Sequence, residues 1–336
     1  MTIVAGIDIG GTKCAACLGR ATEGDAPDGQ GRVEMLGRRQ MPTPSAPRQA
    51  LAQLGDALAE LVAERGEWPA AVGISCGGPL DSRAGLVLAP PNLPGWGRVD
   101  VVTPFRARFG VPVALQNDAN ACALAEWRWG AGRGCRSMVF LTFGTGMGAG
   151  LVLDGRLYAG ASDMAGEVGH VRLAEDGPLG YGKRGSFEGF CSGGGIARLA
   201  QARALEAIQA GTPPSFCPTL ADLEGVTAEK VALAALGPGG AGQGDALALD
   251  IWATVGEYLG RGLAVLVDVL NPERIVIGSI YGRQRALLEA AAMRTLRAEA
   301  HPHALAACEV VPAGLGEQVG DYASLAVALW ALEEAR

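Results

Sequence analysis

The chain has 336 residues, which is long enough for two domains of ordinary size that each bury a core. Its net charge is −7 and no block is rich in Lys and Arg, so nucleic acid is not an expected partner. No apolar run approaches the roughly 20 residues that cross a bilayer, and no basic segment precedes a hydrophobic one at the N-terminus. We therefore expect a soluble, unexported, cytoplasmic protein without a membrane partner.

The eight cysteines are scattered along the chain, which is typical of reduced thiols in a cytosolic protein. Only Cys14 and Cys17 form a C-x-x-C pair, and no histidine or second pair lies nearby. We expect both to be ordinary strand residues rather than a redox or metal site.

A strand, a glycine turn and a second strand are predicted at the N-terminus, and the same arrangement recurs in the middle of the chain. The two copies occupy residues 4–9, 10–12 and 14–18, and then 138–143, 144–146 and 151–153. A repeated hairpin predicts a duplicated architecture.

Short β-branched runs alternate with helical spacing of apolar residues, which predicts α/β layers. The expected strands lie at 72–75, 111–115, 275–277 and 309–311, and the expected helices at 51–62, 119–129, 196–210, 247–270, 285–299 and 318–332. Stretches rich in Pro, Gly and Ser predict loops at 21–31, 41–47, 211–219 and 237–244.

Asp8 precedes the glycine turn formed by Gly10, Gly11, Thr12 and Lys13. Glycine lets backbone N–H groups approach phosphate oxygens, and an acidic residue at a strand end can hold hydrated Mg²⁺. A plain hairpin would use the same residue types. A Walker-type P-loop is excluded, because no G-K-[ST] follows the glycines.

Gly144, Gly146 and Ala149 also satisfy the G-x-G-x-x-[GA] pattern of dinucleotide-binding oxidoreductases. That motif needs a helix after it to receive the pyrophosphate, whereas residues 150–155 predict a strand and a turn. Dinucleotide binding is therefore the weaker interpretation.

Asp118 follows a predicted strand and opens a predicted helix in the sequence Asn117-Asp118-Ala119-Asn120. Such a carboxylate can cap the helix. It can also act as a general base, an effect worth roughly 10²- to 10⁴-fold in rate.

His170 is one of three histidines and is flanked by glycine and carboxylate residues rather than by an apolar helix face. On its own it would be a structural histidine. Together with Asn92, Glu167 and Glu188 it instead indicates a ring of hydroxyl-binding groups.

Five segments, in this order, resemble the ROK family of sugar kinases over nearly the whole chain. They are Asp8-Ile9-Gly10-Gly11-Thr12, Pro91-Asn92-Leu93-Pro94-Gly95-Trp96, Asn117-Asp118-Ala119-Asn120, Gly144-Thr145-Gly146-Met147-Gly148 and Glu167-Val168-Gly169-His170.

The resemblance implies an α/β fold of the actin-like ATPase (ribonuclease H-like) type, in which two lobes close a cleft on ATP and sugar, usually in a homodimer. We expect one lobe at 1–118 plus 317–336 and a larger one at 119–316. The family includes repressors with an N-terminal helix-turn-helix domain. Because the first predicted strand begins by Ile3 or Val4, no such domain is expected here.

The resemblance also implies roles for single residues. Asp118 would be the catalytic base, and Asp8 would hold Mg²⁺ through water. Sugar hydroxyls would be bound by Asn92, Asn117, Glu167, His170 and Glu188. The nucleotide and its phosphates would be bound by Asp8, Gly10, Gly11, Thr12, Lys13, Gly144, Thr145, Gly146, Gly194 and Gly278. At the last position the family's usual glycine pair is replaced by Gly278-Ser279.

A larger departure lies between His170 and Glu188, where many members carry three cysteines that bind a structural zinc with the histidine. Here the segment reads LGYGKRGSFE at 179–188. One imidazole cannot hold an ion that takes four ligands, so no structural zinc is expected. Apolar packing of Leu179, Tyr181 and Phe187 would stabilise the loop instead.

Glucose is the first expected substrate, because the hydroxyl-binding residues match the general hexose set of the family. Fructose, N-acetylmannosamine and N-acetylglucosamine are the alternatives. A non-catalytic sugar-binding or sensor protein is the alternative of another class, and the retained Asp118 argues against it.

Overall fold

The computed structural model describes residues 1–22, 31–237 and 244–335. Most of the two predicted loops at 21–31 and 237–244 lies outside these residues. No helix within the described ranges is long and apolar enough to cross a membrane.

The described strands are numbered in chain order. They are β1 (Thr2–Ile9), β2 (Lys13–Thr22), β3 (Arg32–Pro42), β4 (Val72–Cys76), β5 (Leu80–Asp81), β6 (Leu86–Leu88), β7 (Arg98–Asp100), β8 (Val113–Asn117), β9 (Met138–Phe143), β10 (Met147–Leu153), β11 (Arg156–Leu157), β12 (Leu179–Gly180), β13 (Lys183–Arg184), β14 (Arg274–Ile277) and β15 (Glu309–Pro312).

The described α-helices are numbered in the same way. They are α1 (Pro47–Arg65), α2 (Thr103–Phe109), α3 (Asp118–Trp129), α4 (Phe187–Phe190), α5 (Gly193–Gln209), α6 (Ala228–Leu236), α7 (Ala246–Leu270), α8 (Ile280–Arg283), α9 (Arg285–Glu299), α10 (Pro302–Ala306) and α11 (Val319–Glu334). Short 3₁₀ helices lie at Val168–His170, Leu220–Gly225 and Gly316–Gln318.

Two five-stranded sheets share one strand order, β3-β2-β1-β4-β8 in the first and β11-β10-β9-β14-β15 in the second. In the first sheet β1, β2 and β3 are antiparallel neighbours, whereas β1, β4 and β8 run parallel. In the second, β10 and β11 are antiparallel, and β14 and β15 are parallel. The shared order agrees with the duplication that the repeated hairpin predicts.

The chain divides into two compact units. Unit 1 comprises residues 1–140, 150–165 and 313–336, and unit 2 comprises residues 141–149 and 166–312. The predicted boundary at residue 118 separates two lobes that would move relative to each other. A division into compact units does not define such lobes, so this boundary stays a prediction.

The first sheet of unit 1 buries a different set of side chains on each face, as the two-residue period of a strand requires. Ile7 and Ile74 belong to the apolar cluster that includes residues of α1 and α2. Val4 and Cys17 belong to a second cluster that includes residues of α11. Cys14 and Cys17 lie on β2 as buried free thiols, so their predicted placement on a strand is confirmed.

Helix α11 packs directly against the backbone of the first sheet. A Cβ at Gly73 would overlap with the Ser324 backbone oxygen and the Ala328 nitrogen, and a Cβ at Gly6 would overlap with the Ser324 hydroxyl. Glycines at these strand positions therefore bring β1 and β4 within van der Waals contact of the helix.

The long predicted elements are confirmed, because strong periodicity and clear end signals define them. Helix α1, for example, has Pro47 in its first turn and ends at Gly66, whose left-handed φ of 66° lets its N–H bond to the Val62 carbonyl. The elements that were not predicted are strand β3, the short strands β5–β7 and β11–β13, and the helices α2, α4, α6, α8 and α10. Strand β3 lies at the edge of the first sheet, and its exposed charged residues hide the apolar pattern by which a strand is recognised.

Candidate active site

The carboxyl ends of three parallel strands place polar residues in one row in unit 1. Asp8 of β1 is in register with Ser75 of β4, which is in register with Gln116 of β8. Neighbouring strands are about 4.8 Å apart, so Asp8 and the end of β8 are separated by about 10 Å. Asn117 ends β8, and Asp118 follows it as the first residue of α3.

The predicted glycine turn is a tight connection between β1 and β2. The Gly10 N–H donates to the Lys13 carbonyl at 3.1 Å. The Thr43 hydroxyl donates to the Gly10 carbonyl at 2.6 Å, and the Thr43 N–H donates to the Thr12 carbonyl at 3.0 Å. Thr43 therefore fixes the turn from outside the hairpin, a role that the sequence did not indicate.

Asn92 lies beside this turn. A Cβ at Gly11 would overlap with the Asn92 backbone oxygen, and a Cβ at Gly77 would lie 3.0 Å from the Asn92 amide nitrogen. Residues 11–13 and Asn92 are exposed. The structure thus brings a predicted phosphate-binding turn and a predicted sugar-binding residue together in unit 1.

Asp8 is half-buried, and its carboxylate makes no hydrogen bond or ion pair with a described residue. Burial, the largest cause, together with the charges of Asp118 and Asp321 raises its pKa to about 7, against the lowering effect of Arg38. Arg38 is itself paired with Asp321 at 2.6 Å. An oxygen ligand that lacks a positive partner beside a second carboxylate fits a hydrated Mg²⁺.

Asn117, rather than Asp118, caps helix α3, since its side-chain oxygen accepts from the Asn120 N–H at 2.7 Å. One oxygen of Asp118 accepts from the Ala119 N–H at 2.9 Å. Desolvation raises the pKa of Asp118 and this backbone bond lowers it, with a net upward shift, although the side chain retains an exposed surface. Asp118 therefore keeps an oxygen that capping does not use.

In unit 2 the second glycine turn is held by Glu188. The Met147 N–H donates to Glu188 Oε2 at 3.2 Å, and a Cβ at Gly146 would lie 2.9 Å from the same oxygen. One carboxylate oxygen of this predicted sugar ligand therefore supports the turn formed by Gly144, Thr145 and Gly146.

The predicted nucleotide-binding glycines of unit 2 converge. The Gly193 N–H donates to the Gly144 carbonyl at 2.8 Å, directly before Gly194 in the first turn of α5. The Gly278 N–H donates to the Leu141 carbonyl at 3.0 Å.

Ser279 replaces the second glycine of the family's usual pair, and its φ of 55° is in a region that glycine favours. A Cβ at Gly144 would lie 3.5 Å from the Ser279 hydroxyl oxygen. Ser279, at which this chain departs from the family's glycine pair, therefore borders the glycine turn at residues 144–146.

Glu167 and His170 lie at the two ends of a 3₁₀ turn that packs on this region. A Cβ at Gly169, between them, would overlap with the Met147 carbonyl and would lie 3.2 Å from Glu188 Cβ. The His170 ring is exposed and meets the Tyr181 ring edge-on, with the ring centroids 5.1 Å apart. The Lys183 ammonium donates to the His170 carbonyl at 2.6 Å.

The expected apolar packing of the loop at 179–188 is wrong for two of its three residues. Leu179 is 44% exposed and Tyr181 is 67% exposed, whereas Phe187 is 1% exposed. A Cβ at Gly262 of α7 would overlap with the Phe187 ring, and Phe190 stacks on Tyr258 with the ring centroids 3.5 Å apart. The loop forms the hairpin β12–β13 and is anchored where it enters α4. The two short strands of the hairpin leave Leu179 and Tyr181 exposed to solvent.

The cysteines of unit 2 are engaged elsewhere. The Cys191 thiol is buried and donates to the Val255 carbonyl, and the Cys217 thiol donates to the Thr219 carbonyl. Among the residues that the structure describes, no group of three or more His, Cys, Asp or Glu side chains is placed to hold a metal ion. The absence of zinc stays a prediction that metal analysis decides.

The structure therefore collects the predicted residues into two sets, one in each unit. Asp8, the 10–13 turn, Asn92, Asn117 and Asp118 lie in unit 1, and Glu167, His170, Glu188 and the remaining glycines lie in unit 2. Sequence reasoning missed Thr43 because no apolar or acidic pattern marks it.

Comparison with known proteins gives the class. The chain matches the ROK family over residues 4–330. A glucokinase of Streptomyces coelicolor is 32% identical over 290 residues, which cover 83% of this chain and 82% of that protein. An N-acetylmannosamine kinase of Shigella boydii is 39% identical over 208 residues, which cover 62% of this chain and 67% of that protein.

The fold agrees with this result. The structure of a ROK family glucokinase from Streptomyces griseus in complex with glucose and AMPPNP matches with a TM-score of 0.72 and 28% identity. The match covers 98% of this chain and 99% of that one. The chain is thus an ATP-dependent sugar kinase with the actin-like ATPase fold. It belongs to the ROK family.

Proposed function

We propose that the protein transfers the γ-phosphoryl group of ATP to a hydroxyl of a hexose, with glucose as the first candidate and Asp118 as the general base. The proposal is carried by the position of Asp118. Asp118 follows the carboxyl end of β8, in the row of residues that contains Asp8. Its carboxylate does not cap α3, because Asn117 does so. Its pKa is raised, which favours a carboxylate that accepts a proton.

In the proposed reaction, a carboxylate oxygen of Asp118 takes the proton from the sugar hydroxyl as its oxygen bonds to the γ-phosphorus. The bond between that phosphorus and the bridging oxygen breaks, and ADP leaves with the electron pair. Phosphoryl transfer depends mainly on alignment and on neutralisation of charge, so one base and a set of oriented donors are sufficient protein chemistry.

The two glycine turns are proposed to orient the phosphates. Backbone N–H groups of residues 11–13 and 145–146 would donate to phosphate oxygens, and Thr43 and Glu188 hold the two turns in shape. When bound, Mg²⁺ would neutralise phosphate charge, and Asp8 would hold it through water. The half-buried carboxylate of Asp8, which has no ion-pair partner among the described residues, supports this assignment.

The sugar is proposed to be held by Asn92, Asn117, Glu167, His170 and Glu188. One carboxylate oxygen of Glu188 accepts from the Met147 N–H, and its second oxygen is available to the sugar. The side-chain oxygen of Asn117 caps α3, and its amide N–H groups are available to the sugar. Both can therefore contact a hydroxyl without losing their structural bonds.

Glucose is preferred because the glucokinase of Streptomyces coelicolor aligns with a larger share of the chain than the N-acetylmannosamine kinase of Shigella boydii does. The higher identity of the N-acetylmannosamine kinase over its shorter range makes that sugar the second candidate. Fructose and N-acetylglucosamine complete the set.

The test is ADP release measured by a coupled assay with glucose, fructose, N-acetylmannosamine and N-acetylglucosamine, each in the presence of ATP and Mg²⁺. We expect glucose to give the highest kcat/KM. ADP release that no sugar stimulates, combined with calorimetric sugar binding, would instead identify a non-catalytic sugar sensor.

A further inference from the structure

A cavity of about 770 Å³ opens in unit 1 between the first turns of α1, strand β7 and helix α2. None of the residues proposed above for the sugar or the nucleotide lines it. Ligand-binding cavities for small molecules have volumes of roughly 300–1,000 Å³, so the volume is sufficient for an organic ligand.

The floor of this cavity is apolar. Leu51 of α1 is 7% exposed and Phe105 of α2 is 1% exposed. Pro47, Val99 and Pro104 complete the apolar lining. Such a floor would bury the hydrophobic body of a ligand.

The rim of the cavity is cationic in a protein whose net charge is −7. Arg48 and Arg98 are exposed and have no ion-pair partner among the described residues. Arg108 also lines the cavity and pairs with Asp56 at 2.7 Å, a pair that is exposed on both sides. Guanidinium groups form bidentate hydrogen bonds with carboxylate, phosphate and sulfonate oxygens.

Asp100 is the single acidic side chain of the lining, so its one negative charge is outnumbered by the guanidinium groups of Arg48, Arg98 and Arg108. Its carboxylate accepts from the backbone N–H groups of Val102 and Thr103, at 3.1 and 2.9 Å. Desolvation raises the pKa of Asp100, but the bonds from Thr103 and Val102 and the charge of Arg106 outweigh it, so the pKa lies below its usual range. Helix α1 begins at the cavity without a side-chain cap, which adds partial positive charge there.

We propose that this cavity binds a small amphipathic anion, that is, a carboxylate, phosphate or sulfonate attached to an apolar or planar body. The body packs on Leu51 and Phe105, and the anionic group is held by Arg48 and Arg98. Both lining elements lead to the proposed active site. The chain enters α1 from Thr43, which fixes the glycine turn, and it enters β7 from the loop that contains Asn92.

The charge arm of the test uses the fluorescent probe 8-anilinonaphthalene-1-sulfonate with the full chain. Arg48→Gln combined with Arg98→Gln should weaken probe binding about tenfold or more, because two charge-assisted contacts are lost. The matched control, Arg65→Gln combined with Arg83→Gln, removes two exposed arginines, in α1 and in the turn between β5 and β6, that do not line the cavity. It should change the dissociation constant less than about twofold.

The shape arm places a large side chain on α1. Ala52→Trp fills the cavity from an exposed position and should abolish probe binding, whereas Ala63→Trp, exposed three turns along the same helix, should preserve it. The uncharged probe N-phenyl-1-naphthylamine should bind more weakly than the sulfonate. Equal affinities in the two double variants, unchanged binding in Ala52→Trp, or equal binding of both probes would overturn the proposal.

Discussion

Two carboxylates at the ends of parallel strands set the chemistry of unit 1. Burial is the main cause of the raised pKa of Asp8, and the negative charge of Asp118 raises it as well. Among the described residues, the cation that affects Asp8 is Arg38, whose guanidinium bonds to Asp321. Two neighbouring carboxylates without an ion-pair partner lower the stability of a fold. The same arrangement can bind a cation and accept a proton.

Asp8→Asn tests this electrostatic cost without added metal. The folded pKa of Asp8 is about 7 and its ordinary value is 3.8, so protonated Asp8 stabilises the fold. That stabilisation is complete below about pH 4 and is lost as the pH rises through 7. The melting temperature of Asp8→Asn should therefore exceed that of the wild type by about 4 °C or more at pH 8, with a smaller difference at pH 4.5.

Thermal unfolding in a chelator-containing buffer measures both differences. Asp154→Asn is the matched control, because that carboxylate is 86% exposed and asparagine accepts its left-handed backbone. Its effect should be the same at both pH values. A pH-independent effect of Asp8→Asn would contradict the shifted pKa.

Individual residues differ in how far the sequence reveals them. Asp8, Asp118 and the two glycine turns are recognised because acidic and glycine residues follow predicted strands. Glu126 shows the opposite case. Its carboxylate is fully buried and accepts from the N–H groups of Ala131, Gly314 and Leu315, which ties α3 to the segment before α11. In the sequence it is one more acidic residue of a helix.

At the scale of elements, close packing of α11 on the first sheet depends on strand glycines. The helix covers β1 and β4 with its own backbone near Ser324, so the sheet has no room for a Cβ at Gly73. Periodicity identifies α11 as a helix, but only the structure reveals which strand residues must be small.

Gly73→Ala should destabilise the protein by about 2–4 kcal/mol, since a methyl group would push α11 away from β4. Chemical denaturation measures the change in the free energy of unfolding. Gly320→Ala is the control, because it lies in the first turn of α11 with no atom near its Cβ position. It should be neutral or stabilise by up to about 1 kcal/mol. Similar values for the two variants would refute the packing argument.

The loop at 179–188 shows where element-level reasoning from the sequence fails. Its aromatic and aliphatic residues predict apolar packing, yet a two-stranded hairpin exposes Leu179 and Tyr181, and burial begins only at Phe187. Phe190 and its stack on Tyr258 could not be predicted, because the partner is distant in sequence and belongs to α7.

For the whole molecule, periodicity predicts α/β layers and a duplication, and the shared strand order of the two sheets agrees with both. Strand order itself does not follow from periodicity, because pairing between distant strands leaves no local signal. The family resemblance supplied the fold type, and the structure supplies the strand order. The edge strand β3 was not predicted because its many charged residues hide the apolar pattern, and the strands β5–β7 were not predicted because they are too short.

Metal analysis tests the altered loop in the intact protein. We expect less than about 0.1 zinc per chain after purification without chelator, because the loop lacks thiolates and one imidazole is too few ligands. Inductively coupled plasma mass spectrometry measures this ratio. A tightly held ion near one per chain would show that other residues replace the cysteines.

The central claim is that Asp118 removes the proton from the sugar hydroxyl. The most direct measurement compares kcat and sugar dissociation constant for Asp118→Asn, with Asp321→Asn as a variant that removes a neighbouring charge already paired with Arg38. The account predicts that Asp118→Asn lowers kcat roughly 10²- to 10⁴-fold while sugar binding changes little, and that Asp321→Asn retains most turnover. Turnover of Asp118→Asn close to that of the wild type would contradict it.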